Sequence, residues 1–325
     1  MNQGEHPQEL LLNKSQISIQ DLEPILSALS YFDIFKHPLT LNELFLNVHY
    51  ITFDFDRFKK LVDYGIEEKI INKKDNYYFL GNESNIARRQ QGEELVVNLT
   101  RRARFCVKLI SLFPFTRSVM ISGSFSKGYM DKNADIDFFI VTQPKRLWIC
   151  RTMLIIYKKL FLLNSRKYFC LNYFVDADTM EINDKNIFTA TEITYLLPQF
   201  NMEVYNQFLY KNKWAQEIYY PNFKREKVNE VRPAKFLLTI KNGFEFVLKQ
   251  NVFNGLENFC KKQTTSFWQR KFKNEGPAWF KNQLQNTAQI SKHHPNGYRN
   301  KVLEMYEMRM AKFSKNDSIP EGSSE

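Results

Sequence analysis

The sequence predicts an α+β protein: a small helical module first, a mixed-sheet core in the middle and a mainly helical C-terminal region. Three observations carry that prediction. Apolar residues recur at helical spacing over residues 22–64, β-branched and apolar runs stand at 118–122, 136–141 and 168–175, and helical spacing returns beyond residue 200. The composition of the 325 residues, 43% hydrophobic and 25% charged, excludes a largely disordered chain and supplies more than one apolar core. The expected divisions are an N-terminal extension (1–20), a module (21–85), a connecting helix (86–113), a core (114–200), a helical region (201–313) and a polar, disordered tail (314–325).

Ile25, Leu26, Leu29, Phe32 and Phe35 define the first helix, closed by Pro38. Thr40 is placed to cap a short second helix through Leu46, and Phe55, Phe58, Leu61 and Val62 mark a third that stops at Gly65. Residues 70–80 read as two short strands around a polar turn. Three helices and a hairpin follow the order of a winged helix, a module that often enters the DNA major groove. Here the charge disagrees: residues 1–100 carry 10 Lys+Arg against 15 Asp+Glu, a surface that DNA phosphates repel, so a docking or structural role with a protein partner is the better expectation. Residues 101–325 carry 36 against 20 and favour polyanions in general. Ile86 to Leu112 forms the long connecting helix, broken at Pro114.

The chemistry begins where the strand Ser118 to Ser122 ends. Gly123-Ser124-Phe125-Ser126-Lys127-Gly128 follows it, then a polar stretch, then Ala134-Asp135-Ile136-Asp137-Phe138-Phe139-Ile140-Val141. Gly123 lets the backbone turn sharply and approach a ligand, and Ser124 offers a hydroxyl and an N–H at a helix start, where phosphate is well held. Ser126 and Lys127 stand beside it; Lys127 either assists phosphate binding or points to water. Alternation along a strand puts the carboxylates of Asp135 and Asp137 on one face, about 6–7 Å apart, as a hard divalent cation requires.

These residues resemble the nucleotidyltransferase superfamily typified by DNA polymerase beta. Its signature is an apolar residue, Gly, then Gly or Ser, about ten further residues, then Asp, an apolar residue and an acid. Ile121 to Ser124 and Asp135-Ile136-Asp137 match it, with ten residues between Ser124 and Asp135. The resemblance implies a polymerase-beta-like core in which Gly123 and Ser124 hold the phosphates of a nucleoside triphosphate such as ATP. Asp135 and Asp137 would bind Mg²⁺ or Mn²⁺, and a nucleoside monophosphate would pass to an acceptor, whether small molecule, protein or nucleic acid. The family usually adds a third carboxylate on a neighbouring strand. In the next strand, Tyr168 to Asp176, alternation groups Tyr168, Cys170, Asn172, Phe174 and Asp176 on one face. Strand position favours Asn172 at the site; chemistry favours Asp176 or Asp178. Asn172 can ligate or orient but cannot take a proton at neutral pH. A catalytically weak nucleotide-binding regulatory module therefore stands as an alternative, as does a nucleic-acid-directed transferase or binding protein.

Lys145 to Leu163 reads as an amphipathic helix whose Arg146 and Arg151 either reach phosphates or form a solvated basic face. Helices are expected over 187–197 and 203–214, Tyr219 to Asn222 as an exit loop, and helix from 231 to 313. There aromatic residues such as Phe236, Phe244, Phe246 and Phe259 read as core beside a lysine face rather than as base-stacking groups. His293-His294-Pro295 reads as a surface loop. Cys106, Cys150, Cys170 and Cys260 form no CxxC pair and are expected as reduced thiols. With no secretory signal or membrane span evident, a cytoplasmic location is expected.

Overall fold

Ser18, reciprocally bonded to Asp21, starts a 3₁₀ turn at Ile19–Leu22 that leads into α1 (Glu23–Ile34). The computed structural model describes residues 18–165, 167–250, 253–276, 279–280, 284–292 and 297–314. Most of the N-terminal extension, His293-His294-Pro295 and the tail beyond Ser314 lie outside them. The chain forms two compact units.

The first unit contains the described residues to Ile86, joined by Tyr220–Phe223 and by the described residues from Tyr306. After α1 come β1 (Leu39–Thr40), α2 (Leu41–Leu46), α3 (Phe55–Glu67), β2 (Asn72–Lys74) and β3 (Tyr77–Phe79). The strands pair antiparallel in the order β1-β3-β2. Thr40 caps α2 as its sequence requires: its side chain accepts the Glu43 N–H, and Glu43 accepts the Thr40 N–H at 2.8 Å. Gly65 does not stop α3. The helix runs through it to Glu67, and a Cβ at Gly65 would lie 2.7 Å from Ile71, so this glycine serves close packing.

The second unit holds Ala87–Tyr219 and Lys224–Met305. Its elements in chain order are α4 (Asn85–Ser111, within this unit from Ala87), β4 (Thr116–Ser122), the single turn α5 (Gly123–Ser126), β5 (Asp137–Thr142), α6 (Leu147–Phe161) and β6 (Cys170–Asp176). They are followed by α7 (Ile187–Thr194), β7 (Leu197–Phe200), α8 (Met202–Lys211), α9 (Lys235–Leu248), α10 (Asn254–Lys271), β8 (Ile290–Lys292) and α11 (Tyr298–Ser314), which passes into the first unit at Tyr306. The connecting helix and most of the helical region thus belong to the body of the core.

The sheet order is β7-β4-β5-β6-β8, mixed because β5 and β6 run parallel while the other neighbours are antiparallel. Two of its strands depart from the sequence expectation. Leu197–Phe200 continues no helix but pairs with β4 at the sheet edge, where Pro198 costs no ladder bond in the interior. Ile290–Lys292 pairs with β6 at the opposite edge. One sheet face buries Val119, Ile121, Phe138, Ile140, Leu171 and Phe174 in the main core, with Val107 and Ile110 of α4 and Leu147, Trp148 and Leu154 of α6. On the other face Phe139 stacks on Tyr173 at 4.6 Å and meets Phe208 of α8 edge-on.

Candidate active site

β4 delivers Gly123 at its C-terminal end, and β5, antiparallel beside it, begins at Asp137, so the last β4 residue, Ser122, pairs with Asp137. Gly123 has φ +71°, a left-handed conformation that favours glycine. A Cβ there would lie 2.8 Å from Asp137 Oδ2. The missing side chain is therefore what admits the carboxylate to the turn. Asp135 lies two residues before β5, partly buried like Asp137, while Ile136 between them is fully buried. Ile136 is fixed through its backbone, donating to Lys167 O at 2.9 Å and accepting from Cys170 N at 3.1 Å. The two aspartates thus flank one anchored residue.

Ser124 is partly exposed within α5, which is one turn long. A single turn has too few aligned peptides for a macrodipole, so the expected cradle reduces to the turn's own N–H groups. Ser126 and Lys127 both close this turn: Ser126 Oγ donates to Gly123 O at 2.9 Å and Lys127 Nζ donates to the same oxygen at 3.1 Å. Lys127 does not point to water. Its side chain is 7% exposed, pairs with Glu192 of α7 at 2.8 Å and lies over the Tyr195 ring.

Glu192 is the site residue that the sequence reading missed. It acts on the charge of Asp137 together with Asp135. Burial, reinforced by those two carboxylates, pushes the Asp137 pKa up to about 7 against the opposing effects of the Cys170 thiol hydrogen bond and the Lys127 ammonium. Burial raises the Cys170 thiol as well, so it stays protonated and donates. The only sequence signal for Glu192 is an acid within an otherwise apolar and Thr-rich helix, Ile187–Thr194, capped by Asn186.

The expected β6 alternation is interrupted. Asp137 pairs with Cys170 and Phe138 with Leu171, but Phe139 pairs with Tyr173, leaving Asn172 as an extra residue in a bulge. From Tyr173 onward every side chain changes face, so Phe174 enters the core and Asp176 leaves the Asp137 face. Asp176 is 2% exposed and accepts the N–H groups of Lys145 and Asp178, at 2.7 and 2.8 Å. It pairs with Thr142, five residues along β5 from Asp137, about 17 Å away at strand spacing. Asp176 organises the far end of the sheet, and Asp178 is exposed just beyond it. Arg146 follows that same far end and donates to the Lys145 and Lys249 carbonyls. Arg151 is neither solvated nor near the turn; it is 7% exposed, lies over Trp148 and Trp268, and is held by Thr264.

Among the described residues no three His, Cys, Asp or Glu side chains converge to cage a metal ion. Asp135 and Asp137 nevertheless fit Mg²⁺, which is commonly held by one or two carboxylates while phosphate oxygens and water complete its octahedron. Asp135 and Glu192 both oppose the ionisation of Asp137, and a bound cation would relieve that repulsion. In comparisons with known proteins, no protein-family model, no curated protein and no solved structure matches this chain.

Proposed function

We propose that this chain is a nucleotidyltransferase that binds a nucleoside triphosphate and transfers its nucleoside monophosphate to an acceptor hydroxyl or phosphate, releasing pyrophosphate. The observation that carries the reading is the Gly123 turn seated against the Asp137 carboxylate, with Asp135 two residues away. In the reaction the acceptor oxygen bonds to the α-phosphorus as the bond to the bridging oxygen breaks, and the pyrophosphate leaves with both electrons. Mg²⁺ or Mn²⁺, held by Asp135 and Asp137, would supply charge neutralisation at the phosphate oxygens. Gly123 and Ser124 present backbone N–H groups to the phosphates, while Ser126 and Lys127 hold that turn in shape through the Gly123 carbonyl. Glu192 is the carboxylate available to take the acceptor proton, a role Asn172 cannot fill. The first unit, with the helix and strand order of a winged helix and a net acidic sequence, would dock a protein partner.

Thermal unfolding with ATP, GTP, CTP and UTP, with and without Mg²⁺, tests the assignment, because a ligand that prefers the folded state raises the melting temperature. A Mg²⁺-dependent shift is expected with at least one nucleotide, and the Asp135→Asn/Asp137→Asn variant should lose it while remaining folded. An equal shift in the variant would sink the reading. Opposite Asp137, β6 brings Cys170 and not an acid, which favours one competing reading, a module that binds nucleotide without turnover. Sustained, Asp135-dependent pyrophosphate release excludes it.

A further inference from the structure

The helix α9 is turned inside out. Its inward positions include Lys241 and Glu245, 6% and 4% exposed, while Phe236, Ile240, Phe244 and Val247 stand 64, 52, 61 and 54% exposed. Their spacing of four, four and three residues makes one continuous stripe along the helix. Aromatics expected as core beside solvated lysines are outside, and a lysine is inside. The polar pair fixes this rotation. Lys241 Nζ donates to Ser111 O at 2.9 Å and Thr116 O at 2.7 Å, and Glu245 accepts the Phe115 N–H at 2.6 Å and the Arg117 guanidinium at 2.6 and 2.9 Å. Rolling the stripe inward would strip all of these groups of their partners.

The chain that carries the stripe is basic. Residues 231–273 carry nine Lys and Arg against two acids. Both acids are engaged: Glu245 as above, and Glu257 by the N–H groups of Trp148 and Ile149 at 2.7 and 3.0 Å. Seven of the nine basic residues are exposed, Lys235 and Lys249 at the two ends of α9 among them.

We propose that α9, with Lys235 and Lys249 at its ends, docks on an anionic lipid bilayer, with the stripe entering the headgroup boundary. A stripe of mixed phenylalanine and aliphatic side chains with a lysine at each end of its helix, and with the helix's one acid, Glu245, turned inward, matches the apolar boundary and negative surface of such a membrane. Nucleic acid would leave Ile240 and Val247 without a partner, since only aromatic rings stack on bases. Fourteen residues rise about 21 Å, so the helix lies on the surface, and no helix among the described residues is long and apolar enough to cross a membrane.

The test is co-sedimentation of the full chain with vesicles of phosphatidylcholine alone and of phosphatidylcholine with about one third phosphatidylglycerol. Binding is expected to be at least ~10-fold stronger to the anionic vesicles and to weaken with salt. The Phe236→Ser/Phe244→Ser variant should lose about 10-fold or more of it. Because both positions are exposed, its melting temperature should stay unchanged. No binding to anionic vesicles, or equal binding by the variant, overturns the proposal. So does a dimer in solution that the same substitutions dissociate, which would assign the stripe to a second copy, or salt-sensitive RNA binding without vesicle binding.

Discussion

Gly123 shows how much one absent methyl group can decide. Its positive φ and the 2.8 Å approach of Asp137 Oδ2 to the position of a Cβ mean that Gly123→Ala must both strain the turn and displace the carboxylate. A loss of about 1–3 kcal/mol in urea unfolding is expected, together with loss of any Mg²⁺-dependent nucleotide shift. A variant with wild-type stability and an intact nucleotide shift would refute the close packing of turn and acid. In the first unit, His49 is fully buried, hydrogen-bonded through Nδ1 to Ser27 at 2.6 Å, and burial lowers its pKa to about 3. Between about pH 6.5 and 3 the unfolded chain binds a proton there that the folded unit refuses. Stability should therefore be full above pH 6.5 and fall with acid, by up to about 5 kcal/mol from this group. Urea midpoints at pH 7 and pH 4 should converge in His49→Gln; an unchanged acid loss would place its source elsewhere. At this scale the sequence was informative where chemistry is local. Thr40 as a helix cap, Gly123 as a sharp turn, and the Asp135-Ile136-Asp137 pattern could be read because each needs only its neighbours in the chain. Glu192 could not, because its meeting with Lys127 depends on how α7 returns to the sheet, 65 residues later.

The bulge in β6 shows the limit of periodicity as a guide to elements. Alternation holds only while pairing is regular, and one extra residue at Asn172 reverses the facing of everything after it, moving Asp176 away from the Asp137 face. Deleting Asn172 removes the extra residue and leaves Leu171 and Tyr173 already facing as a regular strand demands. The deletion is expected to fold with a melting temperature within a few degrees of wild type and to retain the Phe139–Tyr173 stack, detectable in near-ultraviolet circular dichroism. A collapse in stability would mean that the bulge is needed for closure of the sheet. The edge strands β7 and β8 were hidden for a related reason: they are four and three residues long, and their pairing partners are distant in the chain. Helix α9 was misread because amphipathicity reveals which side is apolar, whereas the buried Lys241 and Glu245 decide which side turns inward.

For the whole molecule, the α+β class and the order of helices, sheet and helices were legible from composition and periodicity. The assignment of segments to bodies was not. The expected exit loop at Tyr219 to Asn222 instead supplies core to the first unit: Tyr220 is fully buried with its ring 4.9 Å from that of His49, and Asn222 accepts the Phe53 N–H and donates to Ile51 O. Tyr306 adds a hydroxyl contact to Ser27 at 2.6 Å, and Arg309 pairs with Asp33. A fragment ending at Ile86 should therefore be poorly folded, with broad, weakly dispersed amide resonances, whereas the intact chain gives dispersed ones. A well-dispersed spectrum from the fragment would show that these late segments are dispensable. The same arrangement sets a timetable for synthesis. A ribosome adding about 5–20 residues per second reaches Tyr306 roughly 10–40 s after Ile86 has been made. During that interval the module first lacks Tyr220 and Asn222, the partners of His49 and Phe53, and to its end lacks Tyr306, the partner of Ser27, so it closes long after its own residues are made and stays open to chaperones meanwhile.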